Sequence, residues 1–218
     1  MAATSERRAG DHLALKAASV GVFVLVLTSW TSILAKGFST FGWFGLHPLF
    51  QSVALALFTY GILTLQATSQ PATKAAGLAR HQLAMLSAFF FLLLGSSSVW
   101  YNKELYGKPH YATWHGLMGP ICATLLILQV LVGGGSVWFD GAVFGGGIKA
   151  KAVWKYHRLS GYSIFLLLFF TAHLGGAWSG WGNKNVGTLI RPLAYTIAPL
   201  VIVTSVFARI RLSKMRIW

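Results

Sequence analysis

The chain has 218 residues, of which 55% are hydrophobic and 10% charged, against about 45–50% and about 25% in ordinary soluble domains. Nine Trp and fifteen Phe with so few charges cannot be hidden in a soluble fold of this size, and a mean hydropathy of +0.61 agrees. The formal net charge of +14 does not indicate a nucleic-acid binder, because the 18 Lys and Arg sit in short clusters between apolar stretches and not on one solvated face.

In chain order, a polar tail over residues 1–15 lacks the charged-then-apolar layout of a cleaved leader. A membrane domain follows over 16–210, then a short basic tail over 211–218. Segments apolar enough to cross a hydrocarbon core of about 30 Å run over Lys16–Ala35, Trp43–Leu65, His81–Trp100, His115–Val132, Tyr156–Ala177 and Leu189–Phe207. The sixth holds Pro192 and Pro199, which spanning helices tolerate. The expected fold is therefore all-α, a six-helix transmembrane bundle with both termini on one side. Lys36, Lys103, Lys108, Lys184 and Arg191 fall on the far side, while the other 13 of the 18 basic residues, from Arg7 to Arg216, fall on the side of the chain ends. The positive-inside bias makes that side cytoplasmic. Trp43, Trp100, Trp114, Trp154, Trp178 and Trp181 stand near segment ends, where interfacial aromatic belts form. The loops are short, the longest being the Gly-rich run over Val132–Lys155, so the chemistry belongs to the helices. The lone Cys122 excludes an internal disulfide, and without a Cys-x-x-Cys motif zinc ribbons and covalently attached haem are excluded too.

Ionisable residues at membrane depth default to function. Of the seven His, four stand at or within a few residues of an expected helix start: His47 on the second helix, His81 on the third, His115 on the fourth and His157 on the fifth. Antiparallel threading puts His47 and His115 at one level, and His81 and His157 at the other. Two histidines at one depth on facing helices are what bis-imidazole ligation of a haem iron requires. Two such pairs place two b-type haems in series across the bilayer, between helices two to five. A single interfacial His is usually a polar anchor; four with this alternation are not. Met85 and Met118 share a face with His81 and His115, but neighbours on one helix cannot approach an iron from opposite sides, so both read as packing. His173 lies about 24 Å beyond His157 along its helix, where it could replace His115 or His47 as a ligand, but it reads first as a hydrogen-bonded pocket residue. His12 reads as solvated. Gly95, Gly116, Gly119, Gly161, Gly175 and Gly176 allow close approach of backbones or of a macrocycle.

Leu-His-Pro around His47, Arg-His at His81, KPHYATWHG ending on His115 and Gly116, and YHRLSGY around His157 resemble the cytochrome b561 family across nearly the whole chain. The resemblance implies six helices and two non-covalent haems b ligated at these four histidines. It also implies electron transfer from cytoplasmic ascorbate to monodehydroascorbate or ferric chelates on the opposite side, in an endomembrane such as the endoplasmic reticulum, a vesicle or a vacuole or lysosome. Two stretches depart from the family pattern. TYGILTLQATSQ at the end of the second helix carries no Arg, and ATWHG replaces an SLHSW-type motif.

An anionic donor such as ascorbate calls for cations near the His81–His157 level. Arg80 and Arg158 adjoin those histidines, and Lys74, Lys151 and Lys155 are within loop reach. On the acceptor side Lys108 and His110 precede His115 in a short loop and can line the mouth of that haem. The alternative to a self-sufficient oxidoreductase is a haem-binding membrane anchor subunit passing electrons between a partner protein and quinone. Helix interiors that offer only Ser, Thr and Gln besides His173 disfavour a charged-substrate transporter. The bilayer is the one certain partner, nucleic acid is not expected, and a homodimer is left open.

Overall fold

A computed structural model describes residues 8–215; Arg7 and Arg216, counted above for orientation, lie outside the described residues. Among the described residues six helices are long and apolar enough to cross a membrane: α1 (Asp11–Leu34), α2 (Trp43–Gln66), α3 (Pro71–Leu105), α4 (Trp114–Gly135), α5 (Gly147–Ala177) and α6 (Ile190–Ala208). No strand occurs among the described residues. Both described chain ends meet at one end of the bundle, where an Arg8 guanidinium nitrogen donates to the Ala208 carbonyl at 3.0 Å. There the buried Asp11 carboxylate is held by Arg8 at 3.6 Å and Arg211 at 3.4 Å, the pairing that a buried charge needs.

Three helices begin earlier than hydropathy indicates: α1 by five residues, at Asp11 and not Lys16, and α3 and α5 by nine or ten. α3 starts at Pro71, a residue preorganised for a helix's first turn, and α5 starts at Gly147. His81 and His157 each stand ten residues inside their helices, about 15 Å from the start. His47 and His115, by contrast, lie in the first two turns of α2 and α4. The segments PATKAAGLAR and GIKAKAVWKY are rich in helix-forming Ala, Lys and Arg, so the helix continues past the point where the apolar run ends. The placement of all four histidines at helix starts is thus corrected for two of them.

The core is built from the inward faces of all six spans. Phe165 and Phe169 of α5 pack edge to face at 4.9 Å, against Phe58 of α2, Leu92 of α3, Leu126 of α4, Ile202 of α6 and Leu25 of α1. Exposed side chains such as Phe23, Leu83 and Leu131 are apolar, as a lipid-facing exterior must be. α6 is one continuous span that takes a π-helical register over Leu193–Ile197. Pro199 has no N–H to offer the carbonyl of Tyr195 four residues back. His173 of α5 supplies one, its Nδ1 lying 2.9 Å from that carbonyl.

Candidate functional site

The structure brings His47 of α2 and His115 of α4 together, with their Nε2 atoms 3.4 Å apart and their ring centroids 5.7 Å apart. The Nδ1 of His47 lies 3.0 Å from the Gly95 carbonyl on α3, and that of His115 lies 2.9 Å from the Thr171 carbonyl on α5. A carbonyl only accepts, so both Nδ1 atoms carry the proton and both Nε2 atoms present lone pairs. Two lone pairs facing one another do not bond. They need an electrophile between them, and their spacing is close to the roughly 4 Å spanned by two metal–imidazole bonds of about 2 Å.

At the other end, His81 of α3 faces His157 of α5 with centroids 6.4 Å apart and planes at 85°. The Nδ1 of His81 gives its proton to the Gly61 carbonyl on α2 at 3.0 Å. The Nδ1 of His157 is buried without a hydrogen-bond partner among the described residues. α2 and α3 are therefore cross-tied, each histidine bonding to a glycine carbonyl of the other helix.

Glycine makes room for the rings. A Cβ at Gly175 would stand 2.6 Å from His115 Cε1, and one at Gly133 would stand 2.6 Å from His157 Cε1. Gly95 and Gly175 were legible as close-approach positions; Gly61 and Gly133 were missed, since nothing local in the sequence marks which face of α2 or α4 they occupy. Met85 packs toward Gly61, where an added Cβ would come within 2.7 Å of its Cε. His173 is engaged with α6, as above.

The basic residues divide. Lys74, Arg80 and Lys151 are exposed around the end of the bundle that carries His81 and His157. Lys155 lies over the Tyr156 ring at 5.1 Å, and Arg158 is half-buried, donating to the Lys214 carbonyl at 2.8 Å. At the opposite end Lys108 is exposed. His110 is stacked on Trp100 at 3.9 Å and paired with Glu104 at 2.9 Å. Trp43, Trp100, Trp114 and Trp178 are exposed, as belt residues are. Trp154 and Trp181 depart from the belt reading: both bury their indole Nε1 with no acceptor among the described residues.

The sequence profile described as eukaryotic cytochrome b561 matches residues 40–181, which contain all four paired histidines. The chain belongs to the cytochrome b561 family. It is also similar to the transmembrane reductase CYB561D2 of Bos taurus, 32% identical over an alignment 204 residues long, with 82% of this chain and 86% of that protein covered. Membership of the cytochrome b561 family implies haem b as cofactor, and the residues present fit one. Three of the four imidazoles have their Nδ1–H tied to a carbonyl, which leaves Nε2 as the lone-pair donor, glycines keep Cβ atoms away from two of the rings, and each level has an orphaned buried indole N–H nearby. Trp154 lies one turn before His157 on α5, and Trp181 lies 6.2 Å from Phe44, whose ring is 6.3 Å from His47. A buried donor without an acceptor costs about 1–3 kcal/mol, which an anionic group of a bound cofactor would recover.

Proposed function

We propose that this cytochrome b561 carries single electrons across an endomembrane, from ascorbate on the face that bears both chain ends to monodehydroascorbate or a ferric chelate on the other. His47 and His115 hold one haem, and His81 and His157 hold the second. The observation that carries this reading is the pair of inward-facing Nε2 lone pairs of His47 and His115, with a second histidine pair at the far end of the same four helices. Two haems b bound there supply one-electron centres at two depths. The residues of the chain do the rest: carbonyls of Gly61, Gly95 and Thr171 fix the ring tautomers, and the Phe165–Phe169 core keeps water out of the space between the levels.

The face with the chain ends is the cytoplasmic one on the basic-residue bias, and Arg80, Arg158, Lys74, Lys151 and Lys155 give it the charge an anionic donor needs. Lys108 does the same for an anionic acceptor on the other face. The test is a reduced-minus-oxidised spectrum with haem stoichiometry, followed by reconstitution into vesicles loaded with ferric chelate. Ascorbate added outside should reduce two haems per chain and then the enclosed iron. Fewer than two haems per chain, or no reduction by ascorbate, would overturn the proposal.

A further inference from the structure

Three of the four paired histidines are oriented by an Nδ1–H bond to a backbone carbonyl, whereas His157 has no Nδ1 partner among the described residues. Ligating imidazoles are normally held by such a bond, so something else must fix the ring of His157. The α4 face opposite it carries two features one turn apart. Gly133 lets the ring lie flush against the helix, since a Cβ there would meet Cε1 at 2.6 Å. Gln129 reaches the backbone of His157: its Nε2 donates to the His157 carbonyl at 2.6 Å, and its Oε1 accepts from Ser160 Oγ at 2.7 Å. Gly161, one turn after His157, leaves the space that this amide occupies, because a Cβ there would lie 2.7 Å from Gln129 Nε2. Gln129 and Gly133 on α4 thus interlock with His157 and Gly161 on α5.

We propose that Gln129 is the positioning residue for His157, clamping its backbone so that the ring is held from below in place of the missing Nδ1–H bond. The assignment rests on the reading that His81 and His157 hold a haem. A mid-helix carbonyl has a second lone pair to offer, and an amide–carbonyl bond in a water-poor interior is strong because no solvent competes for it. Both arms of the Gln129 amide are engaged within four residues of α5, which fixes the rotation of α5 about its axis at the ligand. A leucine of similar volume fills the space but makes neither bond.

The experiment uses the full chain, haem-loaded and purified, and reads the low-spin ferric resonances and the midpoint potentials of both centres. The g-anisotropy of a bis-imidazole iron follows the angle between its ring planes, so it reports ring orientation and not folding. His81→Ala and His157→Ala identify the resonance of that pair. Gln129→Leu should shift that resonance, and should change the oxidised-to-reduced ratio of that centre severalfold at fixed poise, while the His47–His115 centre stays unchanged as an internal control. Gly161→Ala is the milder second variant: it keeps the glutamine but pushes its amide aside, and it should shift the same resonance in the same direction. Unchanged resonances and potentials in both variants overturn the assignment, with two haems still present. A wild-type chain with a single resonance overturns the two-haem reading and this assignment with it.

Discussion

His47 and His81 are tied to each other's helices. His47 on α2 gives its Nδ1 proton to Gly95 on α3, and His81 on α3 gives its own to Gly61 on α2, each over 3.0 Å. The two bonds lie at opposite ends of the helix pair, so α2 and α3 together carry one histidine of each pair, and α4 and α5 carry the other two. Loss of one ligand should therefore be confined to its own level. His47→Ala and His115→Ala should each remove one spectral component, and His81→Ala and His157→Ala the other, with haem falling from two per chain toward one. Removal of the same component by His47→Ala and His81→Ala would show that the pairing is wrong.

The glycines against the rings give a second test that leaves every ligand in place. A methyl group at position 175 would sit 2.6 Å from the His115 ring, and one at position 133 would sit 2.6 Å from the His157 ring, closer than packed carbon atoms approach. Gly175→Ala should deplete the haem of the His47–His115 pair, and Gly133→Ala the haem of the His81–His157 pair. Pyridine haemochrome assay with difference spectra separates the two. Full occupancy of both components in both variants would mean that the rings move aside freely.

The six spans were legible because apolar composition at membrane length is a strong signal, and the two levels of histidine followed from the alternation of helix direction. The true starts of α3 and α5 were not legible. Their first ten residues interleave Ala and a few apolar side chains with Lys and Arg, so mean hydropathy falls below that of a spanning segment and does not show that the helix already runs from Pro71 or Gly147. Helix rotation was hidden as well. Which carbonyl faces His47 or His115 depends on the phase of α3 and α5, and that phase is set by packing at Gly95 and Gly175, not by local sequence. Trp154 and Trp181 looked like belt residues because position along the chain reports depth and not direction; their indole nitrogens are buried. Gln129 drew no attention among the polar interior residues because its partner is the backbone of another helix.

On the donor side, Arg80 is exposed and Arg158 is half-buried against the Lys214 carbonyl, so their neutralisation should differ. Arg80→Gln removes a solvated charge. At most about 1 kcal/mol follows for an exposed charge contact, which is up to about fivefold in KM for ascorbate, larger at low salt and with stability unchanged. Arg158→Gln should raise KM and also lower the melting temperature, because the C-terminal segment loses one of its tethers. Initial rates of haem reduction at two ionic strengths, with a melting curve for each variant, check both. Donor kinetics unchanged from the wild type in both variants would remove both residues from the donor face.

His173 does a structural job that can be separated from electron transfer. It donates to the Tyr195 carbonyl, for which Pro199 has no N–H. His173→Ala should destabilise the chain by about 1–3 kcal/mol, the cost of a buried unsatisfied carbonyl, with both haem spectra retained. Pro199→Ala supplies an N–H at that position, so adding it to His173→Ala should recover part of the loss. Unfolding of the single and double variants in detergent measures the coupling. Loss of a haem in His173→Ala would make His173 part of a haem site after all.

His110 is held at the end of α3 by its stack on Trp100 and its pairing with Glu104, five residues before His115. Its imidazole is thus fixed at the far mouth of the bundle, in a loop where Tyr111 takes a left-handed φ of 59°. A ring held there can contact an arriving acceptor or pass a proton to it, and Lys108 in the same loop supplies charge for an anionic chelate. His110→Ala should slow reoxidation of the prereduced protein by ferric chelate while both haem spectra stay intact. Glu104→Gln should slow it less, since the stack on Trp100 still holds the ring. Stopped-flow reoxidation under anaerobic conditions reads both variants at once. Reoxidation at the wild-type rate in His110→Ala, with spectra unchanged, would reduce His110 to an ordinary interfacial residue and leave Lys108 as the remaining candidate on that loop.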